Sequence, residues 1–289
     1  MSLDVSHSIL HTPLAITHDG TIDSHPDRPA RRTFVAVVAA RNESERIAAT
    51  LAGVREALPD VRLWVADDGS RDATASIAEQ AGARVVRSER VIGKGGAVTA
   101  AARAALAEIA EDCARQRRPT AGEPELTAGE HEPPGSVSAP PVFVLCDGDL
   151  GASARELRAL AQAVAGGQAD VAVAAFARRS GGGFGIALGF ARWAIRRRCG
   201  LLTRAPISGQ RALSAAALTD VLPFASGYGM EMAMTIDAVR AGHRVVEIEL
   251  ELAHRATGRT LAGFLHRARQ LLDFMRVYAS RRNLGRRTR

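Results

Sequence analysis

The sequence predicts an α/β protein with one mostly parallel sheet covered by helices on both faces. Three observations carry this reading. Short apolar runs rich in β-branched residues alternate with amphipathic stretches, their connections are short, and most runs end in a polar or acidic cluster. The 289 residues are 46% hydrophobic and 24% charged, enough apolar material for one large domain with a substantial core.

The elements follow in order. TFVAVVAA (33–40) reads as a buried strand, and residues 43–58 as a helix with Ile47, Leu51, Val54 and Leu58 on one face. VRLWVA (61–66) is a strand closed by DDGS, RDATASIAEQAG (71–82) a helix with a glycine stop, and ARVVRS (83–88) a third strand. An alanine-rich helix runs from about Gly96 to Arg115. Residues 116–140, rich in Pro, Gly and Glu, interrupt the pattern and predict a mobile surface insertion. PVFVLCD (141–147) resumes as a strand, ARELRALAQAVAGG as a helix and ADVAVAAFA (169–177) as a strand. In SGYGMEMAMTIDAVRAG (226–242), Met232, Met234, Ile236 and Val239 mark the core side of another helix, and VVEIELELAHRATGR (245–259) opens as an alternating strand. The expected layout is a flexible tail over 1–32, one domain over 33–280 and a basic tail over 281–289.

Charge and cysteines narrow the classes. The formal net charge is +7, and Lys94 is the single lysine among 38 basic residues. The closing RRNLGRRTR holds five arginines and no acid, a pattern that is either solvated or attracted to phosphate and anionic membrane surfaces. Aromatics make up only 4%, too few for the stacking platforms of single-strand nucleic-acid binders, so no nucleic-acid partner is expected. No stretch approaches the roughly 18–20 apolar residues of a membrane span. The first 32 residues lack a basic start and apolar run, so no signal peptide is expected. Cys113, Cys146 and Cys199 fit neither a disulfide framework nor a zinc spacing, and the expected compartment is the cytoplasm.

In open parallel sheets ligands lie beyond the carboxyl ends of the strands, so the polar residues there are the first candidates. They are Arg41-Asn42-Glu43, Asp67-Asp68-Gly69-Ser70, Asp147-Gly148-Asp149 and Arg178-Arg179. The strand ending Asp147-Gly148-Asp149 places two carboxylates one residue apart, which suits Mg²⁺ or Mn²⁺ with positions left for phosphates; an ordinary Asp-Gly turn is the alternative. Asp67 or Asp68 can accept an N–H from a uracil, while Ser70 or Asp72 can cap the following helix. VIGKGGAV (91–98) offers backbone N–H groups and the Lys94 ammonium to a phosphate, or is simply a flexible turn. It is neither a P-loop nor a dinucleotide fingerprint. Glu231 lies among apolar residues at a helix start, as a structural cap or a group aimed at a substrate hydroxyl. His254 is a packed histidine or a third metal ligand.

The ordered set AARNE, DDGS, GKGGA, DGD, SGQRAL, GYGMEM and AHR resembles the GT-A nucleotide-sugar glycosyltransferases of the family-2 type over nearly all of 33–280, and its second half looks most like the glucosyl-3-phosphoglycerate synthase group. The resemblance implies a GT-A fold and a metal-dependent transfer of glucose from a UDP-sugar donor to one acceptor per turnover. It places Ala40, Arg41 and Glu43, with Asp67 or Asp68, on the uridine part, and Lys94 near the nucleotide. Asp147 meets the ribose or metal, Asp149 and His254 hold Mg²⁺ or Mn²⁺, and Arg255 meets a phosphate. Tyr228, Gly229 and the residues up to Glu231 line the donor sugar; Glu231, Asp149 and Lys94 are the catalytic candidates, with Asp237 a second possible base.

Two departures bear on the acceptor. Where the synthase group carries Gly-Arg-Val-Thr, this chain has GGGFGIA (181–187), which weakens the case for a small phosphorylated acceptor. The Gln-x-x-Arg-Trp motif of processive synthases is missing, which argues against a polymerase. Polyprenyl-phosphate glycosyltransferases share the first half, leaving a small phosphorylated metabolite or a polyprenyl phosphate as acceptor classes. In the C-terminal segment Leu261, Phe264, Leu265, Ala268, Leu271, Leu272, Met275 and Tyr278 form a stripe. That stripe suits packing on the domain or on a partner in a homodimer, with peripheral membrane contact the alternative. The rival functions are a nucleotidyltransferase, which releases pyrophosphate, and a non-catalytic polyanion-binding or membrane-binding module.

Overall fold

The computed structural model describes residues 32–116, 139–176, 185–252 and 261–282, with side chains of the last segment described from Gln270 onward. Most of the 116–140 insertion, Arg178-Arg179, His254 and Arg255 therefore lie outside the described residues, as do residues 1–31 and 283–289.

Seven strands form one sheet: β1 (Phe34–Ala40), β2 (Arg62–Asp67), β3 (Arg84–Arg87), β4 (Val142–Asp147), β5 (Val171–Phe176), β6 (Arg211–Ser214) and β7 (Val245–Leu250). Their order is β3-β2-β1-β4-β6-β5-β7. β1 pairs in parallel with β2 and β4, β2 with β3, and β5 with β7, whereas β6 runs antiparallel to both neighbours. The mostly parallel α/β sheet read from the sequence is present. The four-residue β6 is too short to show a period and does not stand out in the sequence.

The helices are α1 (Ile47–Ala57), α2 (Thr74–Gln80), α3 (Lys94–Gln116), α4 (Leu157–Ala165), α5 (Ile186–Cys199), α6 (Ala215–Val221), α7 (Met230–Arg240) and α8 (Leu261–Ser280). Successive β1 side chains point to opposite faces, so the strand feeds two cores. Ala36 and Val38 pack with Ile47 and Leu51 of α1 and with Leu157 and Leu160 of α4. Val35 and Val37 pack with Ala97, Val98 and Ala101 of α3 and with Met230 and Met234 of α7. A third cluster joins Ala194 and Ile195 of α5, Met232 and Ile236 of α7, and Phe274 and Val277 of α8.

This third cluster corrects part of the stripe read on the last helix; Leu261, Phe264, Leu265 and Ala268 lie outside the described side chains. From Gln270 onward Phe274 and Val277 are buried and Tyr278 is half-buried against the cluster, while Leu272 and Met275 are exposed. Both sets repeat at helical spacing, and only the neighbouring helices decide which one faces inward. α8 does pack on its own domain, through Phe274 and Val277 together with Tyr278 of the expected stripe.

Candidate active site

The carboxyl ends of β1, β2 and β4 open into a cavity of about 510 Å³. β1 contributes Ala40 and, just beyond it, Arg41 and Glu43; the β2 end contributes Asp68; the β4 end contributes Asp147, Gly148 and Asp149. Lys94 enters from the start of α3, and Tyr228 and Glu231 come from the start of α7. Most of the candidates, scattered along the chain, thus meet in one crevice.

The β4 turn is built for close quarters. A Cβ on Gly148 would stand 3.2 Å from the Ala39 carbonyl and 3.3 Å from the Ala40 Cβ, so the residue between the two aspartates must be small. Buried Thr50 of α1 fastens the same turn: its hydroxyl donates to the Gly148 carbonyl at 2.8 Å and accepts from the Gly151 N–H at 2.8 Å. Asp147 receives Lys94 Nζ on Oδ1 at 2.6 Å and Gln210 Nε2 on Oδ2 at 2.8 Å.

Lys94 is the hub of the site. Its Nζ also lies 2.8 Å from Glu231 Oε1, so one ammonium bridges acids from β4 and α7. Burial pulls its pKa down, but the charges and hydrogen bonds of Asp147 and Glu231 outweigh that pull and raise it well above the ordinary lysine range. The side chain keeps 31% of its surface exposed. A Cβ on Gly209 would lie 2.6 Å from Nζ and 2.8 Å from Asp147 Oδ2, so the backbone at Gly209 comes close over the Lys94–Asp147 pair and only glycine fits there.

The glycines beside Lys94 are not mere flexibility. Gly93 has φ +89, and a Cβ on Gly95 would collide with the Ala225 carbonyl, so α3 starts in direct contact with the segment leading to α7. Thr99 Oγ1 then receives the Phe224 N–H at 3.0 Å, tying the two segments together.

At the end of β2 the two aspartates divide. Asp68 lines the cavity, but its carboxylate is held by the Ile92 N–H at 2.7 Å and the Gly93 N–H at 3.0 Å. Asp67 does not line the cavity. It is buried, accepts the Ser70 N–H at 2.9 Å and the Ser70 hydroxyl, and meets Arg87 at 3.3 Å. The turn is therefore the use to which Asp67 is put, and Asp68 is the better placed for a ligand. Ser70 and Asp72 are engaged in structural work as well. Asn42 N–H donates to Ser70 Oγ at 3.0 Å, and Ser44 N–H to Asp72 Oδ2 at 3.2 Å, which orients the loop bearing Arg41 and Glu43.

Gly229 also faces away from the cavity. A Cβ there would strike Val277, and the Tyr228 N–H donates to Asp273 at 3.1 Å, so α8 seats the whole Gly227–Gly229 turn. Asp237, the second base candidate, is instead held by the Arg281 guanidinium at 2.6 Å and does not line the cavity. Sequence reasoning missed Gln270 of α8 and Ile207, both of which line it, and gave no role to Val91 at the head of the VIGKGGAV turn. Nothing local marks Gln270 and Ile207, because they come from a helix flank and an irregular loop.

Arg211, quoted within SGQRAL but given no role, is a fully buried guanidinium on β6. Its Nε donates to the Ser208 carbonyl at 2.9 Å and its Nη1 to Thr235 Oγ1 at 2.9 Å. Burial lowers its pKa to about 10, opposed by the charges of Glu231 and Glu247. Thr235 in turn donates to the Glu231 carbonyl at 3.1 Å, so Arg211 braces the turn of α7 that carries Glu231.

The donor set is compatible with a hard divalent cation. Mg²⁺ and Mn²⁺ take oxygen ligands and are commonly held by one or two carboxylates plus substrate phosphates. Asp149 supplies a carboxylate on the cavity wall, beside Asp147. Among the described residues no group of three or more His, Cys, Asp and Glu side chains forms a complete protein cage.

Residues 35–110 match the family model described as glycosyl transferase family 2. No curated protein sequence matches the chain. Among solved structures, glucosyl-3-phosphoglycerate synthase from Mycobacterium tuberculosis with Mn²⁺, uridine diphosphate and glucosyl-3-phosphoglycerate aligns with a TM-score of 0.60 and 24% identity, over 88% of this chain and 81% of that one. The complex of the same synthase with Mn²⁺, UDP-glucose and phosphoglyceric acid gives 0.59 and 24%, over 86% and 79%. A further structure of that synthase gives 0.57 and 23%, over 88% and 82%. The fold is GT-A. Its first half, from β1 into α3, carries the family 2 match and includes AARNE, DDGS and GKGGA. The DGD, SGQRAL and GYGMEM segments lie outside that match and are placed on the GT-A frame by structure.

Proposed function

We propose that this chain is a metal-dependent, non-processive glycosyltransferase that moves a sugar, glucose in the first instance, from a UDP-sugar to a single acceptor. One observation carries the proposal: Lys94, Asp147, Asp149 and Glu231, from three separate parts of the chain, line one cavity at the carboxyl ends of the strands. The family 2 match over residues 35–110 supports the reaction class, and the solved synthase complexes support UDP-glucose and Mn²⁺ as the first donor and metal to try.

In this reading Asp149, with Asp147 beside it, holds Mg²⁺ or Mn²⁺. When bound, the ion supplies Lewis-acid neutralisation of the diphosphate leaving group. Lys94 keeps its proton through the paired acids and presents fixed positive charge where negative charge develops, the kind of preorganised electrostatics that dominates many rate enhancements. Glu231, braced by Thr235 and Arg211, is aimed at a donor-sugar hydroxyl. Asp68 and the Arg41–Glu43 loop border the nucleoside. His254 and Arg255 complete the proposed set as a metal ligand and a phosphate contact. The acceptor is a small phosphorylated metabolite or a polyprenyl phosphate.

The test is UDP release with Mg²⁺ or Mn²⁺ across a panel of UDP- and GDP-sugars, beside an Asp149→Ala control. Slow hydrolysis of one UDP-sugar, abolished by EDTA and by the substitution, establishes the donor. Absence of both release and metal-dependent UDP binding by calorimetry refutes the transferase. Pyrophosphate release from a nucleoside triphosphate points instead to a nucleotidyltransferase.

A further inference from the structure

Among the described residues, α5 shows a stripe that its own fold covers only in part, with Phe190 half-buried against the third cluster. Ile186, Phe190, Trp193 and Arg197 fall at spacings of four, three and four residues, so they share one face. Ile186 is 67% exposed and Trp193 50% exposed. Tyr278 of α8 joins this stripe: its ring lies 4.9 Å from Trp193 and 6.0 Å from Phe190, centroid to centroid. Met275, one turn earlier on α8, continues the apolar surface and is itself exposed.

The charged side chains that α5 itself contributes have one sign. Arg196, Arg197 and Arg198 close α5, which contains no acidic residue. Arg198 lies 3.6 Å from the Tyr278 ring centroid and donates to the Tyr278 carbonyl at 2.7 Å, which fixes the aromatic cluster. Asp273, the sole acid of α8, is turned to the Gly227–Tyr228 turn and to Arg276, away from the aromatic strip. The sequence beyond α8 adds further arginines and no acid.

We propose that this α5–α8 face docks on an anionic lipid bilayer surface. Tryptophan and tyrosine favour the boundary between headgroups and acyl chains, because their rings are apolar and their N–H or O–H groups want water. Arginines around such a strip gain from anionic headgroups. A second copy of the chain fits less well. A two-fold contact sets the same patch against itself, and on α5 that places arginine against arginine, while the neighbouring Asp237 is already engaged by Arg281. The proposal is independent of the transferase reading, since the face lies outside the cavity and needs no donor.

The chain supplies its own reporter. It has two tryptophans, and Trp64 is buried at 8% exposure, so fluorescence changes on docking come from Trp193. The full chain is mixed with phosphatidylcholine vesicles, with or without phosphatidylserine, and followed by co-sedimentation and emission wavelength. Binding and a blue shift are expected only with phosphatidylserine, and both weaken with added salt. Trp193→Ala and, separately, Arg196→Glu with Arg197→Glu are each expected to weaken partitioning by about tenfold or more. The arginine pair is exposed, so that variant tests the face even if Trp193→Ala disturbs packing. No binding to anionic vesicles overturns the proposal. Binding unchanged in both variants also overturns it and assigns the affinity to the basic tail. Sedimentation that shows a dimer lost in the variants, without lipid binding, overturns it in favour of a second copy.

Discussion

At the end of β2, Asp67 and Asp68 turn their carboxylates onto the chain itself: onto Ser70 in one case and the N–H groups of Ile92 and Gly93 in the other. At the end of β4, Asp147 faces an ammonium and a carboxamide, and Asp149 stands beside it on the cavity wall. The two ends have similar sequences, acid and glycine closing a buried strand. Backbone N–H groups are fixed by the fold, so a carboxylate spent on them shapes a loop. Side-chain donors such as Lys94 can be shared with an incoming anion. By that measure Asp67 is committed to its turn, whereas Asp68, though held by backbone, keeps a place on the cavity wall with Asp147 and Asp149.

The largest expected effect comes from the chemical end. Asp149→Ala is expected to lower metal-dependent UDP-sugar turnover by about 100- to 1,000-fold, read as UDP release, with UDP binding no longer responsive to Mn²⁺. Turnover within a few-fold of wild type would erase the distinction between the two strand ends. Lys94→Arg comes next, at about 100-fold, because a planar fork does not reproduce the compact ammonium that bridges Asp147 and Glu231, and displacement of the charge disturbs both acids. Full activity in that variant would mean that charge alone matters there.

At the structural end the expected loss is in folding. Asp67→Ala removes a buried acceptor and the Arg87 contact, and should cost about 2 kcal/mol by urea denaturation. Metal-dependent UDP binding should persist in the folded fraction. Loss of UDP affinity with unchanged stability would return Asp67 to the binding site.

The smallest effect is a pH signature in the same loop. Burial pushes Asp72 up, yet its hydrogen bonds from Thr74 and Ser44 hold its pKa down at about 2, below the ordinary 3.8. A depressed carboxylate pKa stabilises the fold above about pH 4 and stops doing so as pH falls through 3.8 towards 2. The stability gap between wild type and Asp72→Ala should therefore narrow on acidification across that window. A gap that stays constant down to pH 2 means the Asp72 bonds do not depend on its charge.

Much of the molecule was legible in the chain. Alternating strands and helices identified the mostly parallel sheet, and polar clusters at strand ends pointed to the acids of the crevice, since both follow from local periodicity and a general rule of parallel sheets; the resemblance added Tyr228. Lys94 stood out as the one lysine. Less legible were partners distant in sequence: Thr50 under the Gly148 turn, Gly209 over the Lys94–Asp147 pair, Arg211 behind Glu231 and Gln270 on the cavity wall.

Local pattern decides which residues are apolar, which can cap and where a strand must stop, and by itself it determined the α/β class and the candidate carboxylates. It cannot decide between two helical stripes of similar apolarity, as on α8, or between two acids side by side, as at Asp67 and Asp68. Those choices depend on what packs against them from far along the chain. Only the tertiary structure turned Phe274 inward and Met275 outward, gave Asp67 to a turn, and brought Lys94 between Asp147 and Glu231.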